Sequence, residues 1–412
     1  PKHITKGFKL ATNKAIEILD KIAESLSEID DTILRNAAIT AMNAKDVSDF
    51  KDFLADLALQ AIRIIEDPNT FQKINNVTMV KAAGKSFKES EISTGIYVQK
   101  GKTNPAMPDV VKDAKIAVIR RKLDVIKTEY DAQIQIYNPE DIQKFKDQEN
   151  EMLNKSLKIF KDLGVNVIVN NQSISDKFGG KLLREGIVAI ESVGEKDYKT
   201  VLKATGAKLV DDLTSLSEDD LGYAEQVKFE KIDKNWYTSF TGCKNPKAVT
   251  LILRGGLNKI LDTAEITLKD VLSVMAKVID TKTLVAGGGA SHVEIAKRLR
   301  DYANEISGKE QLAINAFALA LEEIPITIIR NAGLEEIELM TELRAAHKTE
   351  ADKWMGVDTL KNEIANNFEK GIIEPAEMVK HIIKSSSELA NLILRVDRII
   401  AAKNAGKHGF QP

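Results

Sequence analysis

Apolar residues return at helical spacing from the start of the chain. Ile4, Phe8, Ala11, Ala15, Ile18, Ile22 and Leu26 fall on one face of a helix. "DDTILRNAAITAMNAKD" and "SDFKDFLADLALQAIRIIED" repeat that spacing, each with Asp or Ser near its start, so residues 2–66 read as helices. The pattern changes near residue 76, where "NNVTMVKAAGKSF" and "STGIYVQKG" read as strands and turns. From 114 to 256, short apolar runs ("AKIAVI", "VNVIV", "GIVAIES", "GAKLV", "AVTLILRGG") alternate with helical stretches, which is the rhythm of an α/β unit. From 257 to 402 the pattern is mostly helical again. The predicted fold class is mixed: a mainly helical body interrupted by an inserted α/β unit.

One helix inside the insert has an unusual pattern. Strand alternation at Tyr130, Ala132, Ile134 and Ile136 gives way to Asn138, a helix cap, and Pro139, a first helical residue. The helix runs to about Gly164, yet its middle, "KDQENE", has no apolar residue over nearly two turns and cannot lie in a core. It is predicted to project. Ile142 and Phe145, just before that stretch, either pack the helix on its own strand or are offered to a partner.

A second stretch, "LVAGGGASHVEIAKRL", sets Gly287, Gly288 and Gly289 between an apolar run and a helix. Ser291 and Glu294 have capping-box spacing. A helix start reached through bare backbone can receive a phosphate or ribose. The same tripeptide also suits a tight turn that packs a helix against its neighbour, and both readings stay open. Asp270 lies on "LNKILDTAEITLKDVLSVMAKVI", beside the stripe Ile260, Ala264, Leu268, Val271, Met275 and Val278. Read alone, it is a solvated surface acid. "AAGKS" is not a phosphate loop, because Met79 stands where that loop requires glycine. The five histidines are scattered and lack paired metal spacing.

Composition narrows the class. The 412 residues suggest two or three domains, and 43% hydrophobic with 29% charged residues is globular. The 59 basic and 61 acidic side chains nearly cancel, which argues against a nucleic-acid or polybasic membrane surface. No apolar run approaches the roughly 20 residues of a spanning helix. Cys243 is the only cysteine and cannot form an internal disulfide, so a reducing, cytoplasmic setting is expected. The chain opens at Pro1 in the middle of a helical pattern, and an upstream segment is expected.

In order along the chain stand "TGCKNPKAVTLILRGG", "LKDVLSVM", "LVAGGGASHVEIAKRLRDYA", "GKEQLAINAFALALEEIP", "NAGL", "EKGIIEP" and "LILRVDRIIAAK". Together they resemble the group II chaperonins, and most of all archaeal thermosome subunits, over essentially the whole chain. The resemblance implies an ATP-dependent double ring of homologous subunits that encloses unfolded client proteins, with ATP and Mg²⁺ as cofactors. It implies equatorial segments at 1–25 and 283–412, intermediate segments at 26–94 and 248–282, and an apical client-binding domain at 95–247 with a lid protrusion near 128–163. It places Gly287 and Gly288 beside the ribose and phosphates. Asp358, Thr359, Leu360 and Ile372 line the adenine, Glu374 bonds the ribose hydroxyls, and Asp270 orients the attacking water. Client contact is expected at Ile142 and Phe145, and on "SISDKFGGKLLREG" at Phe178 and Leu182.

The departures are specific. The family's glycine-rich phosphate loop and its "GDGTT"-type metal-holding turn do not occur in these residues, so the metal ligand is expected upstream and this chain alone is expected to be inactive. Thr281 and Lys282 stand where family members often carry an Asp-Gly turn. The tail "AGKHGFQP" lacks the common Gly-Met-rich ending. Two rivals follow: a ring subunit that acts as a non-hydrolysing scaffold, and an α/β enzyme using the glycines as a dinucleotide loop. The second requires a G-x-G-x-x-G pattern that the chain lacks.

Overall fold

A computed structural model describes residues 2–43, 50–66, 70–124, 139–243 and 249–396; at 72, 73, 75 and 139–146 the backbone alone is described. The chain divides into two compact units, Pro1–Ala44 with Ser273–Pro412, and Lys45–Leu272.

The first unit opens with α1 (Lys2–Ile22), which buries Ala11, Ala15, Ile18, Leu19 and Ile22 at the predicted spacing. Gly7 lets α1 approach a later helix, since a Cβ there would lie 2.5 Å from the Ala313 Cβ. A short strand, β1 (Glu24–Ser25), leads to α2 (Asp31–Met42). The Asp30 carboxylate caps α2 by accepting the Ile33 N–H at 2.8 Å, an interaction that stabilises a helix by about 1 kcal/mol.

The second unit begins with α3 (Lys51–Ile65) and the single turn α4 (Thr70–Lys73). Then come β2 (Val77–Ala83), β3 (Glu91–Thr94), β4 (Ile96–Val98) and β5 (Val110–Ile119). The predicted alternation follows as α5 (Pro139–Asp162), β6 (Val167–Asn170), α6 (Asp176–Arg184), β7 (Val188–Ile190), α7 (Glu195–Thr205) and β8 (Leu209–Val210). A long hairpin, β9 (Gly222–Ile232) and β10 (Asn235–Cys243), precedes β11 (Val249–Gly255). The strands make two sheets: β2-β11-β3, and β4-β10-β9-β5-β6-β7 with β8 joined to β5. β5, β6 and β7 are parallel, with α5 and α6 as crossovers, while β9 and β10 pair antiparallel. The helix α8 (Asn258–Thr281) is divided between the units, the boundary falling between Leu272 and Ser273.

The projecting-helix reading is partly testable. Asp147, Gln148, Asn150, Glu151 and Met152 are exposed, while Leu153, Leu157 and Phe160 anchor the C-terminal half of α5 in the core. The strand expected at 130–136 and the cap Asn138 lie outside the described residues, as do the Ile142 and Phe145 side chains. The expectation for Phe178 and Leu182 does not hold. They are 1% and 0% exposed, one turn apart on the face of α6 that enters the core, with Phe178 6.5 Å from Phe160 between ring centres. Their helical spacing is that of core residues, and they offer no surface to a client. On α8, Leu261 takes the buried place expected of Ile260, which is 40% exposed.

The rest of the first unit is β12 (Thr283–Ala286), α9 (Ala290–Glu305), α10 (Glu310–Asn331), α11 (Glu336–Ala346), the hairpin β13 (Met355–Asp358) and β14 (Glu363–Asn366), β15 (Ile373–Pro375) and α12 (Ala376–Ile393). β12 is the centre of a small antiparallel sheet, β1-β12-β15. Among the described residues α10 is long and apolar enough to span a membrane. Its Ile314, Phe317, Ala318 and Leu321 instead pack with α1 and α9 in the unit's core. Its buried Glu322 bonds Arg300 at 2.6 Å and Arg344 at 2.6 Å. Burial works against that charge, but the two guanidinium groups outweigh it and hold the carboxyl below its ordinary value.

Candidate functional site

β12 ends in the triple glycine, and packing explains two of the three. Gly288 and Gly289 have φ of 66° and 80°, the left-handed region that favours glycine. A Cβ at Gly288 would collide with the Asn367 amide and the Val357 carbonyl, and one at Gly289 would lie 2.5 Å from the Pro325 Cβ. Gly287 is less crowded: its nearest neighbours would be the Ile372 and Thr40 methyl groups at 3.3 and 3.5 Å. The tight-turn reading is therefore sufficient for Gly288 and Gly289, and bare backbone is left beside Ile372 at Gly287.

Three segments converge on this turn. The Gly287 N–H donates to the Ile372 carbonyl at 2.9 Å, and the Val357 N–H donates to the Gly288 carbonyl at 3.0 Å. The Asn367 amide donates to the carbonyls of Gly287 and Val357 at 3.1 and 3.2 Å, leaving its Oδ1 buried without a partner. Behind Ile372, the Thr40 hydroxyl of α2 accepts the Ile373 N–H at 3.3 Å. α9 then starts at Ala290, so its positive end is aimed back at the turn. The capping box expected of Ser291 and Glu294 does not form. Gly289 is the cap residue, Ser291 is buried in the first turn, and Glu294 pairs with Arg298 and His347.

The expected site residues fare differently. Gly287 and Ile372 are in direct contact, Gly288 instead meets Val357, and Glu374 lies two residues beyond Ile372, opposite Val285 in the β12–β15 register. Glu374 is half-buried and, among the described residues, its carboxyl makes no hydrogen bond or ion pair. Burial pushes its carboxyl up to about 7. Asp358 is buried and engaged: Lys370 sits 2.7 Å from Oδ2, and the N–H groups of Leu360 and Lys361 donate to Oδ1 at 3.0 and 3.3 Å. Burial opposes its charge, but Lys370 and those two N–H groups prevail, and the carboxyl lies below its ordinary value. Thr359 is half-buried and Leu360 is 76% exposed at the hairpin tip. Asp270 is exposed on α8, within the second unit.

The β13–β14 hairpin, which carries Asp358 and holds the glycine turn, was not visible in a stretch read as mostly helical. Nor was the Glu294–His347 pair, whose members are 53 positions apart. An acid four residues before Arg298 on an otherwise buried helix face was the available signal. Among the described residues no group of three His, Cys, Asp or Glu side chains converges as for a metal. These residues do not by themselves form a magnesium site, which needs carboxylates with water and phosphate oxygens.

A mainly helical unit interrupted along the chain by an α/β unit is a multidomain architecture. Comparison makes the class particular. The profile of the TCP-1/cpn60 chaperonin family matches residues 1–404. A thermosome subunit of Pyrococcus horikoshii is 40% identical over 410 residues, covering 99% of this chain and 74% of that protein. The thermosome subunit beta of Thermoplasma acidophilum is 38% identical, covering 98% and 75%. The open-state monomer of a group II chaperonin from Methanococcoides burtonii superposes with a TM-score of 0.71 at 31% identity, over 96% of this chain and 93% of that one. The chain belongs to the TCP-1/cpn60 chaperonin family. It is an oligomeric chaperonin subunit of mixed fold, in a family whose members are ATPases and form rings. The non-hydrolysing scaffold alternative is not favoured.

Proposed function

We propose that this subunit binds ATP at the glycine turn and couples its hydrolysis to the enclosure of unfolded proteins in the cytoplasm. The observation that carries the reading is Glu374: a half-buried, unpartnered carboxyl two residues from the Ile372 backbone that holds Gly287. A carboxylate so placed can accept both ribose hydroxyls, and those bonds supply the partners it lacks. The base then rests on Ile372 and the outer side of the 358–360 hairpin, Leu360 included. Asp358 serves through its backbone, since its carboxylate already closes the hairpin. The start of α9 faces the phosphates. Asp270 orients the attacking water, a positioning role that acts on the chemical step. The magnesium ion would be supplied with the nucleotide and neutralise its phosphates; the residues described here supply no complete ligand set for it.

The segment 95–247 is the client-binding domain of this reading, with its lid near 128–163, flanked by intermediate segments 26–94 and 248–282 and equatorial segments 1–25 and 283–412. Ile142 and Phe145 remain the proposed client contacts. The 412 residues alone are proposed to bind ATP weakly and to turn over little, because they contain no "GDGTT"-type turn.

The test is ATP affinity, by calorimetry, for the unaltered protein and Glu374→Ala. The reading expects a loss of about tenfold or more, the scale of removing a charge-assisted pair of hydrogen bonds. Unchanged affinity contradicts it.

A further inference from the structure

We propose that His347 is a positioning residue for nucleotide binding: it ties the strand that abuts the glycine turn to the helix that starts from it. The inference rests on the nucleotide reading of this site and adds a residue that reading does not contain. His347 is buried just after α11, with Nδ1 2.9 Å from Glu294 Oε2 and Nε2 2.8 Å from the Met355 carbonyl. Glu294 stands one turn into α9, and its other oxygen accepts from Arg298 at 2.7 Å. Met355 opens β13, and two residues on, Val357 donates to the Gly288 carbonyl. A single ring thus spans the two walls of the turn.

The chemistry fixes how the ring is used. A carbonyl only accepts, so Nε2 donates to Met355. Glu294 is held ionised: burial opposes its charge, but His347 and Arg298 outweigh it and keep its carboxyl below the ordinary value. Glu294 Oε2 faces the other ring nitrogen, 2.9 Å from Nδ1. Both ends of the ring are directional bonds inside a packed core, where a lost partner leaves a buried polar group unsatisfied. Gly356, between Met355 and Val357, shows how tightly the strand sits: a Cβ there would lie 2.8 Å from the Gly287 carbonyl oxygen and 3.1 Å from the Ala290 Cβ. Releasing Met355 lets β13 move away from Gly288, and displacement of a binding wall by about 1 Å is enough to weaken binding severely.

Two amide variants separate the halves of this tie. Glutamine at 347 keeps a donor near the Nε2 position and the Met355 bond. Asparagine keeps a donor near Nδ1 and loses the Met355 bond. The experiment measures the Kd for ATP by calorimetry and Tm in His347→Ala, His347→Gln and His347→Asn. The expected result is Kd raised about tenfold in His347→Ala and His347→Asn, and most of the loss recovered in His347→Gln. A purely structural role lowers Tm in all three and leaves Kd alone, which overturns the proposal, as does equal behaviour of the Gln and Asn variants. If the Ala variant does not fold, the Gln–Asn difference still decides. Absence of ATP binding in the unaltered protein overturns the nucleotide reading and this inference together; ATP binding that His347→Asn leaves unchanged overturns this inference alone.

Discussion

Asp358 and Glu374 are two acids on neighbouring edges of the same turn, and their surroundings drive them in opposite directions. Asp358 is met by an ammonium and two backbone N–H groups, and its carboxyl lies below the ordinary range. Glu374 is met by nothing among the described residues, and burial raises its carboxyl to about 7. A satisfied buried acid is part of the fold. A half-buried one that no protein group meets has its ionisation shifted by burial, and such shifted groups are candidates for binding positions. The pair therefore sets a carboxyl already engaged by the fold against one that is proposed to receive the ribose.

The largest expected effect comes from breaking the satisfied side. Asp358→Ala leaves Lys370 without its buried partner and frees two N–H groups, at a cost of about 2 kcal/mol. Thermal unfolding should show a drop of several degrees, with weaker ATP binding only as a consequence of the loosened hairpin. Its lowered carboxyl contributes stability that is present above the ordinary value of 3.8 and is lost as pH falls through the folded value. Asp358→Asn should therefore flatten part of the acid limb of the stability profile. An Asp358→Ala protein with unchanged Tm and lost ATP affinity would reverse the assignment of the two acids.

Next in size is Asp270→Ala, which, in a subunit that turns over ATP, should slow hydrolysis by about tenfold while ATP affinity holds, since an orienting group for water acts on the chemical step. Lost affinity with turnover per bound ATP unchanged would remove Asp270 from that role.

A smaller, opposite effect is expected on the unsatisfied side. A raised carboxyl contributes stability that is present below its ordinary value of 4.5 and lost as pH rises through about 7. Glu374→Gln cannot ionise, so its Tm at pH 8 should exceed that of the unaltered protein by roughly 2 °C, with no gain at pH 5. A gain independent of pH would mean that burial of the charge is not the cause.

The smallest effect on stability tests the other unit. Its α/β core, from Ile96 to Phe240, is drawn wholly from the proposed client-binding segment. Residues 95–247 should therefore fold alone with a cooperative thermal transition. Ile142→Ser with Phe145→Ser should leave that Tm within about 2 °C and abolish suppression of client aggregation. A large drop in Tm would make the two residues core instead.

Long-period features were legible in the sequence. The burial stripe of α1 and the order β5-α5-β6-α6-β7 follow from apolar spacing, because each element buries one face along its own length, and the helix start at Pro139 follows from proline's place at a first helical position. Features that depend on a distant partner were not. Phe178 and Leu182 carry the same i, i+4 spacing whether they face a client or Phe160, and only the fold shows that Phe160 is there. The four-residue strands Met355–Asp358 and Glu363–Asn366 are too short for alternation to register, although Asp358 and Asn362 are ordinary turn residues. Ser291 and Glu294 had capping-box spacing, but His347 and Arg298 hold Glu294 instead. The triple glycine was legible as a turn; that Pro325 and Asn367 dictate two of its residues was not.

The measurement that bears most directly on Glu374 is the ratio of affinities for ATP and 2′,3′-dideoxy-ATP, followed from pH 5.5 to 8.5. The ratio cancels the ionisation of the phosphates and isolates the ribose hydroxyls. A carboxylate that accepts those hydroxyls binds them best when ionised, so the ratio should rise as pH passes about 7, and it should be small and flat in Glu374→Gln. A ratio that is independent of pH, or equal in the two proteins, would contradict the assignment of Glu374 to the ribose.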